Sequence, residues 1–185
     1  MSVRALVLFG VVAASALAID QFAKFLVVTN MEYGQVIPVL GEFFQLRYVT
    51  NSGAAFSLGS GFTWILSSIA VAVVIGIIIF ARRIKSVAWA WMLGLLLGGA
   101  LGNVTDRLFR PPSFGQGHVV DFFQMWPLPA IFNTADVAIC TAMGLFLLLT
   151  LRGVRLDGTK ASDTIERIPT PGVADAADAP EAPER

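Results

Sequence analysis

The stretch Gly98–Asp136, GGALGNVTDRLFRPPSFGQGHVVDFFQMWPLPAIFNTAD, decides how this chain is read. It sets three aspartates (Asp106, Asp121, Asp136) and two asparagines (Asn103, Asn133) between two strongly apolar segments. Four of these five residues belong to one unit written twice, Asn-x-x-Asp, in GNVTDR and in FNTADV. Residues three apart share a helix face, so each unit aims an amide and a carboxyl the same way. Ionisable groups beside or within membrane segments are costly, and by default they mark function.

The surrounding chain is that of a membrane protein. Of its 185 residues 56% are hydrophobic and 14% charged, with a mean hydropathy of +0.72, whereas a soluble domain carries roughly 25% charge. The formal net charge is zero, so no nucleic-acid partner is expected. A single cysteine, Cys140, excludes an internal disulfide, and a single histidine, His118, leaves little for a metal site. Neither a metal nor an organic cofactor is expected. Cys140 stands in an apolar segment without a basic neighbour in sequence, so a buried, inert thiol is expected.

Four apolar runs, at about 5–28, 62–81, 87–104 and 131–151, are each long enough to cross a hydrocarbon core about 30 Å thick. The first has a competing reading as a cleavable leader, with Arg4, an apolar core and Ala16-Leu17-Ala18. Against that, its pattern continues through Phe22, Phe25, Leu26 and Val28. Asp20 and Lys24 lie four apart on it and can pair, either as an interfacial anchor or in a functional role. In the third run Gly94 and Gly98 make a small-xxx-small spacing that permits close helix packing.

Between the first two runs, residues 29–61 form a β-rich loop. Val36–Leu40 and Phe43–Thr50 have strand composition, and QLRYV alternates polar with apolar. NSGAAFSLGSG then supplies small residues that permit close backbone approach. The domain expectation is a four-helix membrane domain over 1–154 and a disordered cytoplasmic tail over 155–185, rich in Ala, Pro, Asp and Glu. Arg4, the cluster Arg82–Lys85, and Arg152 with Arg155 fall on one side, which the positive-inside rule assigns to the cytoplasm together with both termini.

That topology gathers Asp20, Asp106, Asp121 and Asp136 at the outer interface. The apolar flanks of Asp121, HVV and FF, would press it against the membrane. Two carboxyls in a shared, partly desolvated site titrate as a pair, one protonated and one ionised, which suits them to activate water and protonate a leaving amine. Asp121 and Asp136 are the candidates. Each taken singly also reads as a cap or interfacial group, with Asn133 capping the fourth helix and Asp136 favourable to its dipole. Asp106 beside Arg107 reads as a structural ion pair, and Asn51 as a turn residue or a substrate contact. The sequence holds no His-Glu-x-x-His, no Gly-x-Ser-x-Gly elbow and no P-loop. The competing functions are a small transporter or proton relay through Asp20, Asp106 and Asp136, and a non-catalytic scaffold.

In five ordered blocks, DQFAK (Asp20–Lys24), TNSGAAFS (Thr50–Ser57), GGALGNVTDR (Gly98–Arg107), HVVDFF (His118–Phe123) and FNTADVAI (Phe132–Ile139), the chain resembles the lipoprotein signal peptidases, signal peptidase II, of bacteria. The resemblance covers roughly residues 15–150. It implies four transmembrane helices with a small extracytoplasmic β-sheet cradle in the first loop. The implied activity is that of an aspartyl endopeptidase of the plasma membrane, removing signal peptides from diacylglyceryl-modified prolipoproteins on the N-terminal side of the lipidated cysteine. It also implies that Asp121 and Asp136 are catalytic. Asn51, Asn103, Arg107 and Asn133 would then line the site, and Asp20, Lys24 and Asp106 support it. The partners implied are prolipoprotein substrates and membrane lipid, and the enzyme is expected to be a monomer.

Overall fold

A computed structural model describes residues 2–53 and 63–159. The chain runs α1 (Val3–Asn30), β1 (Val36–Leu40), β2 (Phe44–Asn51), α2 (Thr63–Ala81), α3 (Val87–Phe109), β3 (Val119–Met125), β4 (Ile131–Phe132) and α4 (Thr134–Leu151). All four helices are long and apolar enough to cross a membrane. Part of NSGAAFSLGSG, part of TNSGAAFS and most of the expected tail lie outside the described residues.

The central helix is α3. Of its apolar window 56% is buried, against 28%, 22% and 17% for α1, α2 and α4. The outer helices therefore turn apolar side chains such as Phe22, Trp64, Ile79 and Leu147 away from the protein, which costs nothing where lipid tails are the solvent. Close approach to α3 depends on glycine. A Cβ on Gly98 would lie 2.5 Å from Ala16 Cβ and 2.6 Å from Ala13 O, so any larger residue pushes α1 away. The paired Gly94 faces Val12 of the same helix, as the small-xxx-small spacing predicts. One turn further on, a Cβ on Gly102 would collide with the Asp20 carboxylate.

The helix ends depart from the apolar runs for local reasons. Helix α3 continues to Phe109 rather than stopping near 104, because the charge of Asp106 is neutralised by Lys24 and Arg110. Helix α4 begins at Thr134 rather than 131, because Ile131 and Phe132 are taken into a sheet. Val36–Leu40 is a strand, as expected from composition, and Pro38 fits there because β1 is an edge strand.

The sheet is larger than one loop. It has four antiparallel strands in the order β1-β2-β3-β4, so the loop after α3 supplies half of it. The sheet expected in the first loop is thus completed by β3, which carries Asp121 opposite Val49 of β2. The apolar flank of Asp121 does not press on the membrane. Val120 and Phe122 pack on Val27 of α1, so the strand is drawn out of water by protein. At the opposite end of the bundle the chain after α4 folds under α3. There Leu156 O accepts from Lys85 N and Ser86 N, and Trp89 Nε1 donates to Val154 O. Cys140 is exposed on α4 rather than buried, because only a narrow stripe of that helix, including Ala135 and Ala142, meets the other helices.

Candidate active site

Asn133 is the hinge of the site. As the N-cap of α4 it accepts from Asp136 N at 3.0 Å, while the Asp136 carboxylate accepts from Asn133 N at 3.1 Å. This capping box satisfies orphan donors at the helix start and fixes Asp136 in its first turn. The Asn133 amide nitrogen is left free to reach elsewhere, and it donates to Asp121 Oδ1 at 2.6 Å. The strand carrying Asp121 and the helix carrying Asp136 are thereby joined through one completely buried side chain.

Each carboxyl receives a second donor. Asn51, the last residue of β2, donates to Asp121 Oδ2 at 3.1 Å and accepts from Gly53 N at 3.0 Å. It is thus a turn residue and a site residue at once. Asn103 on α3 donates to Asp136 Oδ1 at 2.9 Å. The first Asn-x-x-Asp unit therefore serves the second, because Asn103 donates to its aspartate, whereas Asn133 turns to Asp121 and not to Asp106. Asp121 and Asp136 line one cavity of about 480 Å³, together with Asn51, Asn103 and Arg107. Arg107 Nη2 donates to Gly53 O at 3.0 Å, and its buried Nε has no partner among the described residues.

Asp121 is 4% exposed, and its proton affinity is raised to about 6. Burial is the largest cause, followed by repulsion from Asp136. The donors Asn133 and Asn51, and the Lys24 charge, act the other way.

The remaining expected residues are not part of the cavity lining. Asp20, Lys24 and Asp106 are completely buried, with Lys24 Nζ 2.8 Å from Asp20 Oδ2 and 2.8 Å from Asp106 Oδ2. The predicted i,i+4 pair is present, but inside the protein rather than as an anchor at its surface. The expected pairing of Asp106 with Arg107 is not found. Asp106 pairs with Arg110 at 2.6 Å, because residues four apart share a helix face and adjacent ones do not. Sequence reasoning also passed over Gln21, whose amide donates to Asp20 Oδ2, Gly102 O and Asp106 Oδ1. It missed Thr134 as well, whose hydroxyl donates to Asp20 Oδ1 at 2.7 Å. The i,i+4 spacing of Asp106 and Arg110 was a readable signal, whereas Gln21 offered only its place beside Asp20.

Comparison with known proteins agrees with this architecture. Residues 12–152 match the family described as signal peptidase (SPase) II. The lipoprotein signal peptidase of Leifsonia xyli subsp. xyli is 55% identical over 183 residues, covering 97% of this chain and 85% of that protein. That of Rhodococcus jostii is 48% identical over 159 residues, covering 85% of this chain and 78% of its own. A solved bacterial membrane enzyme superposes with a TM-score of 0.69 at 25% identity, over 86% of this chain and 91% of that one. With four apolar helices and a small sheet at one end of the bundle, this chain belongs to the signal peptidase II family, a family of bacterial multi-pass membrane peptidases.

Proposed function

We propose that the protein is an aspartyl endopeptidase that cleaves signal peptides from diacylglyceryl-modified prolipoproteins, on the N-terminal side of the lipidated cysteine, with Asp121 and Asp136 as its catalytic pair. The observation that carries this reading is that the two carboxyls face one cavity and are joined through Asn133. Two carboxyls facing one cavity can divide the acid and base roles of peptide hydrolysis. Asp121, with its raised proton affinity, is the member suited to hold a proton and pass it to the leaving amine. Asp136 then takes a proton from the attacking water. Arg107 brings its guanidinium to the wall of the same cavity, where it faces a substrate carbonyl.

The substrate's chemistry fits this placement. Two acyl chains cost about 0.8 kcal/mol per exposed CH₂, so the scissile bond stays near the membrane interface. The aspartates lie at the sheet-bearing end of the bundle, away from the basic clusters Arg82–Lys85 and Arg152/Arg155. Under the positive-inside rule that end is extracytoplasmic and both termini are cytoplasmic. The enzyme acts as a monomer in the plasma membrane. A relay through Asp20, Asp106 and Asp136 is disfavoured, because Asp20 and Asp106 are neutralised in a closed network instead of opening onto a path.

The test is digestion of a diacylglyceryl-modified prolipoprotein by the purified protein, with mass spectrometry of the products. A new N-terminus at the lipidated cysteine is expected. Cleavage elsewhere, or cleavage of the unlipidated precursor at the same rate, would refute the substrate assignment.

A further inference from the structure

Outside the cavity lining lies a buried line of charge that the proposed reaction does not use. Lys24 sits between Asp20 and Asp106, and Arg110 closes the line, so two carboxylates meet two cations. Each of the three buried members also reaches a group next to a reacting carboxyl. Asp20 Oδ1 accepts from Ala135 N at 2.8 Å, one residue before Asp136. Asp106 Oδ2 accepts from Val120 N at 3.2 Å, one residue before Asp121. Lys24 Nζ donates to Asn103 Oδ1 at 3.1 Å, and the nitrogen of that same amide donates to Asp136.

An ammonium group has donors only. The atom of Asn103 that faces Lys24 must therefore be its oxygen, and its nitrogen is turned toward Asp136. Asn133 Nδ2 reaches the same oxygen at 3.2 Å but is shared with Asp121, to which it is closer. Buried ion pairs are a weak source of stability, since well-packed apolar side chains often do as well. What apolar packing cannot supply is direction.

We propose that Lys24 is a positioning residue for peptide cleavage: by holding the oxygen of Asn103 it aims the Asn103 amide at Asp136, while Asp20 and Asp106 hold the backbone beside each catalytic carboxyl. The proposal rests on the aspartate-pair reading above. A misaimed group at a reacting centre costs on the order of 100-fold in rate without weakening substrate binding.

The experiment measures kcat and KM, per folded molecule in detergent, on a diacylglyceryl-modified peptide. The variants are Lys24→Met, Asn103→Leu and the double substitution. Lys24→Met is expected to lower kcat on the order of 100-fold with KM changed less than about twofold. In the Asn103→Leu background it should cost less than about threefold more, because the route is already cut. Removing one charge from a buried network endangers folding. The charge-balanced pair Lys24→Met/Asp20→Asn, compared with Asp20→Asn alone, keeps Asp106 and Arg110 paired and should show the same loss. An unchanged kcat in Lys24→Met or the balanced pair, or losses that multiply in the double substitution with Asn103→Leu, would overturn the proposal. Asp121→Asn, run alongside, separates the two readings. Full turnover there refutes the aspartate pair itself, whereas an inactive Asp121→Asn beside a fully active Lys24→Met refutes only the positioning role.

Discussion

Replacing Asp121 with asparagine should make the protein more stable at neutral pH, and the size of the gain follows from the site. An ordinary aspartate releases its proton at 3.8, and in the fold Asp121 does so at about 6. Below pH 4 the group is protonated both folded and unfolded, so it adds no differential cost. As pH rises from 4 to 6 the unfolded chain ionises first, and the folded state loses stability by 1.36 kcal/mol per pH unit. Above pH 6 the full penalty of about 3 kcal/mol is in place. Asparagine does not ionise and so removes it. The same substitution leaves one amide, Asn51 or Asn133, facing an NH₂ group instead of an oxygen, which costs about 1 kcal/mol at every pH. The net expectation is a variant about 2 kcal/mol more stable at pH 8 and about 1 kcal/mol less stable below pH 4. Equilibrium unfolding in detergent micelles, followed by tryptophan fluorescence at both pH values, measures the difference. A stability difference between variant and parent that stays constant from pH 4 to 8 would refute the claim that burial raises the proton affinity of this carboxyl.

Four further outcomes follow from the same geometry. If Asp121 must hold a proton to act as the acid, kcat/KM falls as pH rises above about 6. Asn51 favours the ionised form, so Asn51→Ala should move that limb to higher pH; a shift downward in the pH–rate profile contradicts the assignment. Asn133→Ala removes the cap of α4 and the link to Asp121 together, so it should cost about 1–2 kcal/mol in unfolding experiments and leave almost no cleavage. Gly98→Ala sets a Cβ against Ala16 and the Ala13 carbonyl, and should destabilise by about 1–3 kcal/mol in the same unfolding assay.

How much of this was legible in the sequence depends on how local each feature is. The spanning helices, the strand Val36–Leu40, the Asn133 cap and the Asp20–Lys24 pair are all set by neighbours within a few residues. Strand β3 was not read because its partner, β2, lies some seventy positions earlier; Val49 meets Asp121 only once both loops have folded onto α1. The apolar run around Asp121 looked like a membrane contact for the same reason: burial by protein and burial by lipid demand the same side chains. Cys140 shows the converse, since an apolar helix facing lipid looks like one facing a core. The service of Asn103 to Asp136 depends on helices α3 and α4 crossing at glycines, and no spacing within either helix reports it.

The most direct test of the account is a single-turnover cleavage assay on a diacylglyceryl-modified prolipoprotein, with Asp121→Asn and Asp136→Asn each purified as folded protein. Neither variant is expected to release signal peptide above the uncatalysed background, while both retain binding of the lipidated substrate. Cleavage at the parent rate by either one would contradict the assignment of the aspartate pair.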